Sequence, residues 1–175
     1  MSIKFKANVV SAFALSEVVI ALGVASISLL VLLSLMSVGV RSNRDSVEQT
    51  ASASIAEEIL SDLSSATSGQ GNFIVSPRFG FTIPLPGSPA TWPNTVYFSA
   101  SDQFTQAGQT PLALPSGAIP RYRASVSLSP SGSGYPGNIS VRVLITWPAL
   151  ADSDPAVKPV NFAGSFEVVT VLGSK

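Results

Sequence analysis

The chain of 175 residues contains neither cysteine nor histidine. That double absence removes disulfides, thiol nucleophiles, histidine-based proton transfer and the commonest zinc sites in one step. It does not fix a compartment, because exported proteins need not contain disulfides. Charge is scarce as well: only 11% of residues are charged, and ten basic side chains cancel ten acidic ones. No net field therefore draws the chain toward nucleic acid or an acidic substrate, and no nucleic-acid partner is expected. Proline is missing before Pro77, so nothing upstream forces a helix to break. An enzyme built from what is left would need a Ser-Lys dyad, paired carboxylates or a carboxylate metal site. Lys158 and Lys175 are the only lysines beyond Lys6, and in so serine-rich a chain a serine near either is expected by chance. No catalytic constellation emerges, and neither enzymatic activity nor a cofactor is expected.

What is present is hydrophobic surface, 46% of all residues, which is high for a soluble domain. From Val18 through Val40 no residue is charged, and in a helix this run spans roughly 34 Å, enough for a hydrocarbon core of about 30 Å. Only Gly23 and Gly39 interrupt it, so a transmembrane helix is predicted. Beyond Arg41 the pattern changes: Val47, Ala51, Ile55, Ile59 and Leu63 recur every fourth residue, with Ala56 and Leu60 beside them. Asp45, Glu48, Glu57, Glu58 and Asp62 are expected on the opposite, solvated face of an amphipathic continuation. Ser64, Ser65, Ser68, Gly69 and Gly71 then stop the helix, which would run unbroken for about 50 residues.

From Asn72 onward proline, glycine, serine and β-forming residues dominate, which predicts short strands between ordered turns. Arg121 to Leu128 places Tyr122, Ala124, Val126 and Leu128 on one face; Ile139 to Trp147 alternates Ile139, Val141, Val143, Ile145 and Trp147 against polar neighbours. Joined by the turn-rich SPSGSGYPGN, these two most simply form an antiparallel pair. Phe162 to Val171 is expected as a third strand and Thr95 to Ser99 as a fourth at an edge. One face of such a sheet needs a cover, and the helix stripe supplies it. Asp152 and Asp154 have the spacing of two calcium ligands, or of a solvated turn before Pro155. The glycines of SGSGYPG form no phosphate loop, since no lysine and no helix accompany them. Trp92, Trp147, Tyr97 and Tyr122 could make a ligand surface, although Trp147 at the end of an alternating strand reads as core.

The stretch SAFALSEVVIALGVAS, Ser11 to Ser26, carries a lone carboxylate, Glu17, at the start of the apolar run. A glutamate there is costly unless something pairs with it. A secretory signal cleaved near Ala51-Ser52-Ala53 would have an apolar core longer than such signals use, and a charged segment before the cut. A plain single-pass anchor leaves Glu17 without a role. The flanking basic residues, Lys4 and Lys6 against Arg41 and Arg44, tie and give no orientation.

With Ala12, Phe13 and Glu17 placed as they are in AFALSEVVIALGV, the sequence resembles the type IV pilin and pseudopilin family. Its precursors carry a leader ending in glycine or, less often, alanine, then phenylalanine, then glutamate as the fifth mature residue. The likeness covers Ala12 to about Leu63; SEVVIALGVAS followed by RDSVEQTASASIAEEIL is most similar to the prepilin-type proteins called Verru_Chthon cassette protein B. Ala12 for glycine, and Ser16 where an apolar residue is common, depart from the pattern. The resemblance implies an α+β, pilin-like fold: leader 1–12, transmembrane helix 13–40, amphipathic continuation 41–66, and a β-rich domain 67–175 packed on it. It implies cleavage between Ala12 and Phe13 by a prepilin peptidase, N-methylation of Phe13, and Glu17 as the filament-register residue paired with the new amine. It further implies a single pass in a bacterial inner membrane with the carboxy-terminal domain periplasmic, then a pilus or a type II secretion pseudopilus. Implied partners are other pilins or pseudopilins and the membrane assembly platform. Some pseudopilins bind calcium in a β-domain loop. Without cysteine, the disulfide-bounded loop of many major pilins is missing, which favours a minor or pseudopilin role. The alternative is a membrane-anchored β-domain binding module that does not polymerise.

Overall fold

The computed structural model describes residues 15–67, 74–83, 91–130 and 138–173. The first element, α1, is a helix over Leu15–Thr67, and the chain divides into two compact units between Val47 and Glu48. The earlier part of α1, Leu15 to Val47, is exposed along its whole length, from Leu15 at 86% to Val47 at 55%. It is the helix long and apolar enough to cross a membrane. Its hydroxyls are compatible with that setting, because Ser26 Oγ donates to the Leu22 carbonyl at 2.7 Å and Ser28 Oγ to that of Val24 at 2.9 Å. Each serine thereby satisfies its own donor inside the helix and needs no water.

The second unit, Glu48 to Lys175, sets the end of α1 against an antiparallel sheet in the order β3-β4-β5-β6. These strands are β3, Thr91–Ser99; β4, Pro120–Pro130; β5, Asn138–Trp147; and β6, Gly164–Gly173. A small hairpin, β1 (Ile74–Val75) with β2 (Thr82–Ile83), precedes them. Val96 opposite Ala124, Val126 opposite Val143 and Val143 opposite Val168 fix the register. Because side chains alternate across a strand, this register lines Val96, Ala124, Val126, Val141, Val143 and Ile145 up on one face, all fully buried. Ile55, Ala56, Ile59 and Leu63 of α1 share the same core. Phe79 completes it, meeting Phe98 and Phe104 edge to face at 5.6 and 4.8 Å.

The α+β fold, the paired central strands and the edge position of β3 agree with expectation; the helix faces do not entirely. A series of every fourth residue drifts by about 40° per step around a helix, whereas burial follows alternating steps of three and four. The buried stripe accordingly runs Glu48, Ser52, Ile55, Ile59 and Asp62 with Leu63, so Val47 falls outside it and two acids expected in water lie inside. The last strand also starts at Gly164 rather than Phe162. The Asp152 carboxylate accepts the N–H groups of Val160 (3.0 Å) and Asn161 (2.6 Å), which holds that segment out of the ladder.

Candidate functional site

Glu17 lies in the first described turn of α1 and is exposed. Among the described residues no basic side chain forms an ion pair with it. Ala12 and Phe13 lie outside the described residues.

In the second unit the two buried acids each join α1 to the sheet domain. Arg121, at the start of β4, grips the Glu48 carboxylate through Nη2 and, at 3.4 Å, Nε. Its guanidinium also lies 5.8 Å from the Tyr122 ring centre. Burial, and next the hydrogen bond to Glu48, push the Tyr122 phenol up to about 12. The hydrogen bond to Glu48 is likewise the first cause that raises Arg121. Asp62 does different work: its Oδ1 accepts the N–H of Arg78 at 3.0 Å and its Oδ2 that of Phe79 at 3.1 Å. The turn that carries Phe79 into the core is thus capped from the helix.

On the sheet face away from α1, the connection from Pro148 to Ala163 covers β3 and β4. Arg123 is 1% exposed and donates from Nη1 to the Asp152 carbonyl (2.8 Å) and from Nη2 to that of Val157. Tyr97 donates its hydroxyl to the Ser153 carbonyl and Thr95 to that of Pro155, each at 2.9 Å. Four loop carbonyls therefore meet donors fixed on two strands. Burial is the main cause that raises the Tyr97 phenol; Arg123 opposes it. The aspartates of this loop are occupied too: besides Val160 and Asn161, Asp152 accepts the Asn161 side chain at 3.2 Å, and Asp154 accepts the N–H of Ala156 at 2.9 Å. Among the described residues no three acidic side chains gather into a cation site.

Trp147 is half-buried against the core and meets Tyr122 edge to face at 6.4 Å, so these two aromatics pack on each other. Tyr97 is buried on the opposite face, so these three aromatics form no common surface; the side chain of Trp92 lies outside the described ones. Sequence reasoning missed Glu48, Asp62 and Arg123. For the first two the three-four spacing was the available signal. Arg123 alternates with apolar residues and so reads as solvent-facing; only the long Asp- and Pro-bearing connection hints at a cover. A groove of ≈ 520 Å³ remains, between Ala53, Leu60 and Ser64 of α1 and Phe166, Val168 and Leu172 of β6.

Comparison with protein-family models, with curated proteins and with solved structures found no match.

Proposed function

We propose that the chain is a prepilin-like structural subunit, a minor pilin or pseudopilin, with no enzymatic activity of its own. The observation that carries this reading is a single carboxylate, Glu17, in the first turn of a helix whose next residues are apolar over a membrane's thickness. A prepilin peptidase would cut between Ala12 and Phe13, creating an amine that is then N-methylated. Glu17 of one subunit would pair with that amine in its neighbour. Such a pair gains attraction in a low dielectric but loses hydration, so it serves chiefly to set register. The apolar helix would first hold the subunit in a bacterial inner membrane, the β domain being periplasmic. It would later pack against other subunits in a pilus or pseudopilus raised from a membrane assembly platform. Gly23, Ser26, Ser28 and Gly39 are small enough to allow close helix contact.

Mass spectrometry of protein purified from membranes of cells with an active prepilin peptidase tests this directly. A mature chain starting at methylated Phe13 is expected, and an intact Met1 start overturns it. The groove beside β6 favours a second reading, an anchored binding module that does not polymerise. Glu17→Ala separates the two: it should leave membrane insertion normal and abolish incorporation into filaments.

A further inference from the structure

The two edges of the sheet are finished differently. β3 carries Pro93 and register shifts at both ends, and its outer side is covered. The N–H groups of Thr105 and Gly108 donate to the Tyr97 and Thr95 carbonyls at 3.0 and 2.9 Å, and Ser99 donates to Gln103 at 2.8 Å. Proline, bulges and covering segments are the usual means of stopping an edge from pairing with another chain. Among the described residues β6 has none of them. It runs ten residues in unshifted register with β5, contains no proline or lysine, and among the described residues nothing pairs with its outer side. Its one charge, Glu167, is neutralised within its own sheet by Arg142 at 2.7 Å, which is also the first cause lowering the Glu167 pKa.

β6 is moreover apolar on both faces. Phe166, Val168 and Leu172 lean toward the groove beside α1, while Val169 and Val171 stand 62% and 56% exposed on the other side. A strand apolar on both faces has the composition of an interior strand. The sequence is also complementary to itself. In an antiparallel pair centred on Val169, Phe166 faces Leu172 of the other copy, Val168 faces Thr170, and Val169 faces Val169. The two Glu167 side chains then lie four positions apart, so like charges never meet.

From this we propose that β6 is an interaction edge, at which a second copy of this chain adds its own β6 antiparallel about Val169. The joined sheets form one eight-stranded sheet, and the incoming strand extends the sheet side of the groove beside α1. Main-chain hydrogen bonds supply the attraction, and the opposed Phe166–Leu172 and Val169–Val169 pairs with the two Glu167 side chains held apart favour the register. The inference stands apart from the filament reading, since an anchored module that never polymerises could dimerise the same way.

The absence of cysteine makes the test clean. Directly opposed Cα atoms in an antiparallel pair lie about 4.5–5.5 Å apart, within disulfide reach. Residues four positions out of step lie roughly 14 Å apart, beyond it. The full chain is purified with a large excess of detergent micelles, carrying either Val169→Cys or Val171→Cys, and oxidised mildly. Val169→Cys is expected to give a covalent dimer and Val171→Cys to form no cross-link although it still pairs, with melting of both reduced chains unchanged because the replaced side chains are exposed. Val169→Lys, which sets two ammonium groups opposite each other, should lose the dimer in sedimentation while keeping its melting temperature. No cross-link at either position, equal cross-linking at both, or cross-linking at Val171 alone overturns the proposal. So does a Val169→Cys chain that couples only to a different protein.

Discussion

Arg121 holds the carboxylate of Glu48 with two guanidinium nitrogens, and burial divides unevenly between them: the glutamate side chain is 5% exposed, the arginine 41%. The acid is the member that depends on the pair, because it is the one removed from water. Arg121→Ala should therefore destabilise the second unit by about 2 kcal/mol, less than for a fully buried pair because the arginine is partly solvated. Glu48→Gln keeps shape and an acceptor and should cost about 1 kcal/mol. Urea unfolding followed by tryptophan fluorescence checks both, and a costlier Glu48→Gln than Arg121→Ala would contradict the asymmetry.

The same cluster predicts a loss of stability in alkali. Tyr122 is raised to about 12 in the folded protein from the ordinary 10, chiefly by burial. A group with a raised folded pKa contributes fully below its unfolded value and ceases to contribute as pH rises through the folded value. Stability should accordingly fall between pH 10 and about 12. Tyr97, also raised, adds to the fall in the same direction. Tyr122→Phe should flatten this part of the pH profile in thermal melts, and an unchanged slope would remove the phenol from the account.

The large elements were legible because they rest on periodicities that dominate the chain. The apolar run after Glu17 and the alternations of β4 and β5 need no partner to be recognised, and the structure keeps both. Legibility failed where a polar residue is buried by something distant in sequence. Asp62 reads as a solvated helix acid until the turn at Arg78 and Phe79 closes on it, and Arg123 reads as a solvated strand residue until the Pro148 to Ala163 connection lies over it. The hairpin β1–β2 was missed for a related reason: two-residue strands carry no period. The roles proposed for Ala12 and Phe13 in cleavage and for Glu17 in register rest on a resemblance alone, since the amine proposed to pair with Glu17 would exist only after proteolysis.

Asp62 offers a local test of that long-range capping. Each of its oxygens takes one backbone N–H, so Asp62→Ala leaves two donors of a partly buried turn without a partner. A loss of about 2 kcal/mol is expected, with Asp62→Asn intermediate because it retains one good acceptor. Hydrogen exchange should show the amides of Arg78 and Phe79 losing protection first. Protection unchanged at those two amides would rule out the cap.

Gly164 is constrained by its neighbour rather than by its backbone. A Cβ built there would fall 2.4 Å from Cζ2 of Trp147, its partner across β5 and β6, where real carbon contacts do not occur. The indole cannot simply turn away, since it packs on Tyr122 and the core. Gly164→Ala should therefore cost about 1–3 kcal/mol as an overpacking change. It should also shift tryptophan emission to longer wavelength. Trp147→Leu in the same chain should recover most of the loss by removing the clash.

The Asp152 carboxylate decides between a cation loop and a structural one. Its oxygens already accept three donors, from Val160 and from the backbone and side chain of Asn161, while its own carbonyl accepts Arg123. A calcium ion would have to displace those N–H groups, and among the described residues no further acid stands ready to complete a shell. Excess calcium should thus leave the melting temperature unchanged. Asp152→Ala should instead loosen the loop in the absence of any metal, lowering stability by about 1–2 kcal/mol and exposing Pro148 to Ala163 to limited proteolysis. Asp154→Ala, which removes a single exposed contact to Ala156, should stay within about 0.5 kcal/mol. A calcium-dependent rise in melting temperature that vanishes in Asp152→Ala would reverse the assignment, because only coordination, not backbone capping, responds to the ion.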